Sequence, residues 1–221
     1  MYVEFDIPDL REYEKSLLSY WTKTIFIGKI STDYQVNSLA STFVRLVEAA
    51  VSEYNLAHVK LREFWDTHSS INLSAMHRSV SHFESCLSSM YRAANSFRRL
   101  RRHSSRDPLC VYLSTERPGF ATDAIGDRFR QVRNDIHHME ELVINGNLQP
   151  GQPFALHPDG PEVAHPSESN QTIKTIDRLV IGEREIRFTE LASWLLEIVA
   201  TAQKIADFAP FSSGGSAHTP A

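Results

Sequence analysis

Residues 33–64 read DYQVNSLASTFVRLVEAAVSEYNLAHVKLREF. In this stretch Val36, Ala40, Phe43, Val47, Ala50, Tyr54, Ala57, Leu61 and Phe64 recur at alternating steps of four and three. Such spacing lines up side chains on one face of an α-helix, and an apolar face this long is built to pack against neighbours. The pattern resumes at Leu73, Met76, Val80, Phe83, Leu87, Met90, Ala94 and Phe97, after an interruption in which Ser69, Ser70 or Asn72 can cap the new helix. Two periodic stretches joined by a short polar link predict an antiparallel helical hairpin. The second stretch runs into Arg98, Arg99, Arg101, Arg102 and His103, and Asp107-Pro108 is read as closing it.

Working outward, a third helix is expected from about residue 122 to residue 145, stopped by Gly146. The chain then holds six of its prolines and glycines in close succession, from Pro150 to Pro161, with Pro166 beyond. This segment, about 148–170, is expected to be a long Pro-rich loop. Short β-leaning runs at 173–181 and 185–188 flank Gly182-Glu183 and predict a small hairpin. A last helix follows from about Thr189 with Leu191, Trp194, Leu195, Ile198, Val199, Ala202 and Ile205. Residues 1–32 are expected to be an N-terminal arm with a short helix in 10–21 and some β-character in 24–30, and residues 210–221 a flexible tail. The expected fold is therefore an all-α, up-and-down helical bundle over 33–209 with a small β-hairpin before the last helix.

Composition bounds the function. The chain has 221 residues, 42% of them hydrophobic, enough for one domain with a sizeable core. Its formal net charge of -4 gives no global attraction to nucleic acid, so any such binding must come from a local basic surface. Cys86 and Cys110 are the only cysteines, which excludes a disulfide scaffold and a thiolate zinc cluster. The first nine residues lack the apolar core of a signal peptide, and no apolar run approaches the roughly 18 residues of a membrane span. A soluble, cytoplasmic protein is expected.

The third helix carries the candidate chemistry. At about 100° per residue, Arg130, Arg133, Asn134, His137 and His138 fall on one side, within an arc of roughly 140°. Ile125, Phe129, Val132, Ile136, Met139 and Val143 gather opposite and form the buried face. By default a polar helix face is simply solvated. Two adjacent histidines beside two arginines and an amide offer more: an imidazole serves as general acid or base near neutral pH, and a guanidinium clamps a phosphate. An outward face is not expected to form a pocket within one bundle, which favours a site shared between two subunits.

The run Arg133-Asn134-Asp135-Ile136-His137-His138 resembles the Arg-Asn-x-x-x-His form of the Arg-x(4–6)-His signature of HEPN domains. The element order from Asp33 to Phe208 is also similar to that family: a long hairpin, the motif helix, a variable insert and a final helix. The resemblance implies a metal-independent endoribonuclease of the toxin or phage-defence kind, acting on RNA without a cofactor or metal. It also implies a homodimer whose two motif helices form one composite cleft. On that pattern Arg133 holds the scissile phosphate, His138 assists proton transfer as the 2′-hydroxyl attacks, and Asn134 orients one or the other. Arg130 to His137 satisfies the longer spacing of the signature, so His137 stays open as the acting histidine. The resemblance further raises an antitoxin or a nucleotidyltransferase as partner. One branch is modified by such an enzyme on a Tyr two residues past the histidine; Glu140 stands there in this chain, which argues against that regulation. The alternative is a HEPN-like module that binds RNA or nucleotide, or dimerises, without cleavage.

Other features carry less. Arg98, Arg101 and Arg102 are candidates for steering RNA, although cations at a helix C-terminus also complement its dipole. His77, His82, His157 and His165 lack metal-ligand spacing, and Ser193 and Cys86 lack partners for nucleophilic catalysis. Trp65 and Trp194 are read as core or dimer contacts.

Overall fold

A computed structural model describes residues 1–26, 29–66, 72–138, 141, 144, 156–182 and 184–208. The centre of the fold is the hairpin of α2 (Tyr34–Asp66) and α3 (Leu73–His103). Asp33 starts α2, its carboxylate accepting the Gln35 N–H at 2.7 Å, and Asn72 starts α3, its side chain accepting from Ala75 N at 3.2 Å. Of the three polar residues able to cap α3, Asn72 is the one that does; Ser69 and Ser70 lie outside the described residues. Both periodic faces are buried, apart from their outer ends at Phe64, Leu73 and Met76. Two small hydroxyls bind the hairpin along its length, Ser79 donating to the Ala57 carbonyl at 2.8 Å and Ser96 to the Leu39 carbonyl at 3.2 Å. Their pairing fixes the antiparallel register.

Phe43, Phe97 and Phe120 form an aromatic cluster, with Phe43–Phe97 centroids 5.6 Å apart and Phe97–Phe120 5.3 Å apart. Phe83 meets Phe188 at 5.3 Å on the other side of the hairpin. Each is fully buried, which stabilises the fold by roughly 1.5–3 kcal/mol per ring. Phe188 opens the last helix, α6 (Phe188–Asp207), whose expected apolar positions are all buried.

The remaining elements correct the sequence reading. Asp107-Pro108 does not simply close α3; it starts an unexpected helix, α4 (Pro108–Thr115), with Asp107 accepting from Cys110 N at 3.0 Å and Pro108 in the first turn. A 3₁₀ turn (Gly119–Ala121) leads into α5 (Asp123–His137), which Thr122 caps. The fold is mostly helical but not all-α. The N-terminal arm is not a simple appendage: β1 (Tyr2–Phe5) pairs in parallel with β4 (Thr172–Ile176), and β3 (Glu162–Ala164) pairs antiparallel on the other side of β4. In the second sheet, β5 (Arg178–Ile181) lies between β2 (Leu156–Asp159) and β6 (Arg184–Arg187), antiparallel to both. Thus the β-leaning run at 173–181 splits at Asp177 between two sheets, and the expected hairpin is β5–β6, turning through Gly182 at φ +57°. The Pro-rich segment, expected to be a loop, contributes β2 and β3; residues 145–155 lie outside the description. Pro158 is tolerated in β2 because that strand is at a sheet edge. The β-character expected at 24–30 is overridden by α1 (Leu18–Phe26) as far as Phe26, and Ile27 and Gly28 lie outside the description.

Among the described residues no helix is long and apolar enough to cross a membrane.

Candidate functional site

α5 is held from two sides. Toward α6, Phe129 meets the edge of Trp194 at 5.2 Å, and Val132 is fully buried. Arg128 stacks over the same Trp194 ring at 4.9 Å while its guanidinium engages both carboxylate oxygens of Glu190 and the Glu185 carbonyl. Asp135 pairs with Arg184 at 3.5 Å. Toward α3, Arg98 donates Nε to the Ala121 carbonyl at 3.2 Å and Nη2 to the Thr122 carbonyl. Residue 126 is glycine, and a Cβ there would collide with the Arg98 guanidinium that crosses it.

This clamping sets where the motif side chains stand. Arg130 is exposed and pairs with Asp127 at 3.1 Å. Arg133 donates Nη1 to Asn134 Oδ1 at 3.3 Å and, with Ile136, lines a groove of about 470 Å³ against α3. The α3 wall is Glu84, Ser85, Ser88, Ser89 and Arg92. The outward face is thus not wholly outward: the expectation that one bundle offers no recess here is corrected, because α3 rises beside Arg133. His137 ends α5, and its side chain lies outside the described residues. His138 leaves helical geometry as the C-cap, with its N–H on the Asn134 carbonyl at 2.8 Å and its Nδ1 3.2 Å from the Glu141 carboxylate. The structure therefore brings Arg133 and Asn134 together and joins His138 to Glu141. Among the described residues Arg133 and His138 share no contact. The expected continuation of this helix to residue 145, including Met139 and Val143, falls mostly outside the description.

The groove is polar and mixed in charge. Burial raises the carboxyl pKa of half-buried Glu84 above its ordinary value, which brings it nearer to proton exchange at mild pH. Two guanidiniums, three hydroxyls and one carboxyl suit a phosphorylated ligand. The α3 wall was missed in the sequence because that helix's apolar stripe dominates its pattern. A signal was present, since Glu84, Ser88 and Arg92 repeat every fourth residue and so share one face.

The basic run at the end of α3 divides. Arg98 is spent on the two carbonyls that precede α5. Arg101 lies over the Phe97 ring at 5.8 Å and reaches the Glu116 carbonyl at 3.4 Å, and Arg102 is exposed. Cys86 and Cys110 are buried free thiols, and burial pushes the Cys110 thiol up to about 11. Among the described residues no group of three or more His, Cys, Asp or Glu side chains is placed to hold a metal ion.

Compared with known proteins, the chain matches no family model, no curated protein and no solved structure.

Proposed function

We infer that the chain is a metal-independent endoribonuclease of HEPN type, acting as a homodimer. One observation carries this reading: Arg133 of the motif and Arg92 of the long hairpin line the same groove, with three serine hydroxyls between them. That is the donor set a phosphodiester needs, since guanidiniums pair with phosphate oxygens in a bidentate way and hold the charge that builds on them.

In the proposed reaction Arg133 and Arg92 hold the scissile phosphate. The 2′-oxygen attacks phosphorus, its proton passes to a base, and the bond to the 5′-oxygen breaks as that oxygen gains a proton. The products are a 2′,3′-cyclic phosphate and a 5′-hydroxyl. His138 is assigned the proton transfer, with His137 as its rival. Because His138 does not meet Arg133 within one chain, a second copy supplies the missing half of the site. A cytoplasmic toxin or defence effector, held in check by a partner protein, is the setting this chemistry fits.

The second reading is an RNA- or nucleotide-binding or dimerisation module without cleavage. The pairing of His138 with Glu141 favours it, because a histidine so engaged is not aimed at the groove. Incubating RNA with the purified protein in EDTA decides between them. Cleavage that is lost in Arg133→Ala and His138→Ala supports the enzyme; RNA binding without cleavage supports the module. Full activity in both variants overturns the site.

A further inference from the structure

A second recess, of about 270 Å³, opens where α3 ends and α5 begins. Three guanidiniums line it, from Arg101, Arg102 and Arg117, beside Thr122 and Asp123. None of the three has a carboxylate partner among the described residues. Glu116, the nearest acid in sequence to Arg117, has its carboxylate on Lys204 of α6 at 2.6 Å. The hydrogen bonds of the Arg101 and Arg117 guanidiniums go to main-chain carbonyls, those of Glu116 and Ser114. The Arg102 side chain makes no hydrogen bond or ion pair among the described residues. Asp123 stands almost fully exposed, 3.8 Å from Arg98. Positive charge is thus gathered, three guanidiniums against the one exposed carboxylate of Asp123. Its mark falls on Arg101, whose pKa is lowered by burial first and then by Arg102, Arg117 and Arg98, with Asp123 only partly opposing them.

Like charges held together cost stability unless an anion visits them, and guanidiniums with free donors are matched to phosphate. Direction identifies the source of that phosphate. α5 runs antiparallel to α3, with Arg98 at the Thr122 end and Arg92 beside Arg133 further along. From residue 123 to residue 133 the helix rises about 15 Å. At ~3.4 Å per phosphate along one stacked strand, that distance spans about four phosphates.

We propose that Arg101, Arg102 and Arg117 form a second phosphate subsite, holding the backbone of the same RNA strand whose scissile phosphate Arg133 takes. This rests on the RNA reading above. Arg98 is excluded from the subsite because its donors are committed to the Ala121 and Thr122 carbonyls. A decanucleotide reaches both sites, whereas a dinucleotide reaches only one.

The test is fluorescence anisotropy with a labelled, uncleavable 2′-O-methyl decanucleotide and dinucleotide, titrated over a range of salt. The expected result is that Arg102→Gln/Arg117→Gln weakens decanucleotide binding about tenfold and lowers its salt slope by about 1.4, two phosphate contacts at ~0.7 each. Dinucleotide binding stays at the wild-type value. Arg102→Gln alone breaks no contact in the fold and gives about half the slope change, which separates binding from folding. Decanucleotide binding and slope unchanged in both variants, with Arg133→Ala still weakening binding, overturns the subsite and leaves the RNA reading intact. No binding of either RNA by the wild type overturns both.

Discussion

Arg98 of α3 passes over Gly126 of α5 and holds the two carbonyls that precede that helix. This crossing ties the start of α5 to α3, the helix whose wall Arg133 faces further along. Alanine at 126 would gain about 1 kcal/mol of helix propensity but displace a guanidinium from two charge-assisted bonds worth about 1.5–3 kcal/mol each. The guanidinium is the far end of a flexible side chain and keeps part of this bonding by shifting, so Gly126→Ala is expected to cost about 1–3 kcal/mol net in chemical denaturation. In an Arg98→Ala background the same change becomes neutral or stabilising. Destabilisation of equal size in both backgrounds would show that the crossing is not what residue 126 serves.

Arg128 fastens α5 to α6 by stacking on Trp194 and gripping Glu190. Both charged side chains are about one third exposed, so solvent screening limits the ion pair. Arg128→Ala is expected to cost about 1–2 kcal/mol. Arg128→Lys recovers little of it, since an ammonium neither stacks flat nor bonds in two places. Recovery of most of the stability by Lys would mean that charge alone matters there.

The aromatic core makes a stronger demand. Phe97 touches both Phe43 and Phe120 and is fully buried, so Phe97→Ala is expected to cost about 3–5 kcal/mol, with Phe97→Leu well below that. Urea denaturation measures both. A loss under 1 kcal/mol for the alanine variant would place the core elsewhere.

His58 gives the fold a sensitivity to acid. Burial first, and then the neighbouring Arg62, whose Nε donates to His58 Nε2 at 2.7 Å, pull its pKa from 6.5 down to about 4. Above pH 6.5 the ring is neutral in both folded and unfolded chains, and stability does not depend on it. Between 6.5 and 4 the unfolded chain binds a proton that the folded one refuses, so stability falls with pH by at most about 1.4 kcal/mol per unit. Below pH 4 both forms are protonated and the loss is complete. His58→Gln is expected to flatten the melting temperature across that window, and an unchanged slope would remove His58 from the account.

Much of the helical frame was legible because α2, α3 and α6 bury continuous stripes at helical spacing, which local sequence records directly. α4 was not, since Leu109, Cys110 and Leu113 turn inward while Val111 and Tyr112 stay partly exposed to solvent, leaving a stretch with no clean stripe. Its Asp107-Pro108 signal reads equally as a stop and as a start. The sheets were hidden for a different reason. Tyr2 to Phe5 pairs with Ile173 to Ile176, and such distant pairing leaves no local trace beyond alternation. At the site, the periodicity of α5 separated Arg133 and Asn134 from Phe129 and Val132 correctly. It was silent on Glu84, Ser88 and Arg92, which meet Arg133 only through tertiary packing.

The proposed chemistry uses the 2′-hydroxyl as nucleophile, and one measurement addresses it directly. RNA and the same sequence carrying 2′-O-methyl groups are incubated with the protein in EDTA, and the cleavage rates and end groups are compared. Only the unmodified RNA is expected to be cut, leaving 2′,3′-cyclic phosphate and 5′-hydroxyl ends, and Arg133→Ala is expected to abolish the cut. Equal cleavage of both strands, or no cleavage of either, would contradict that chemistry.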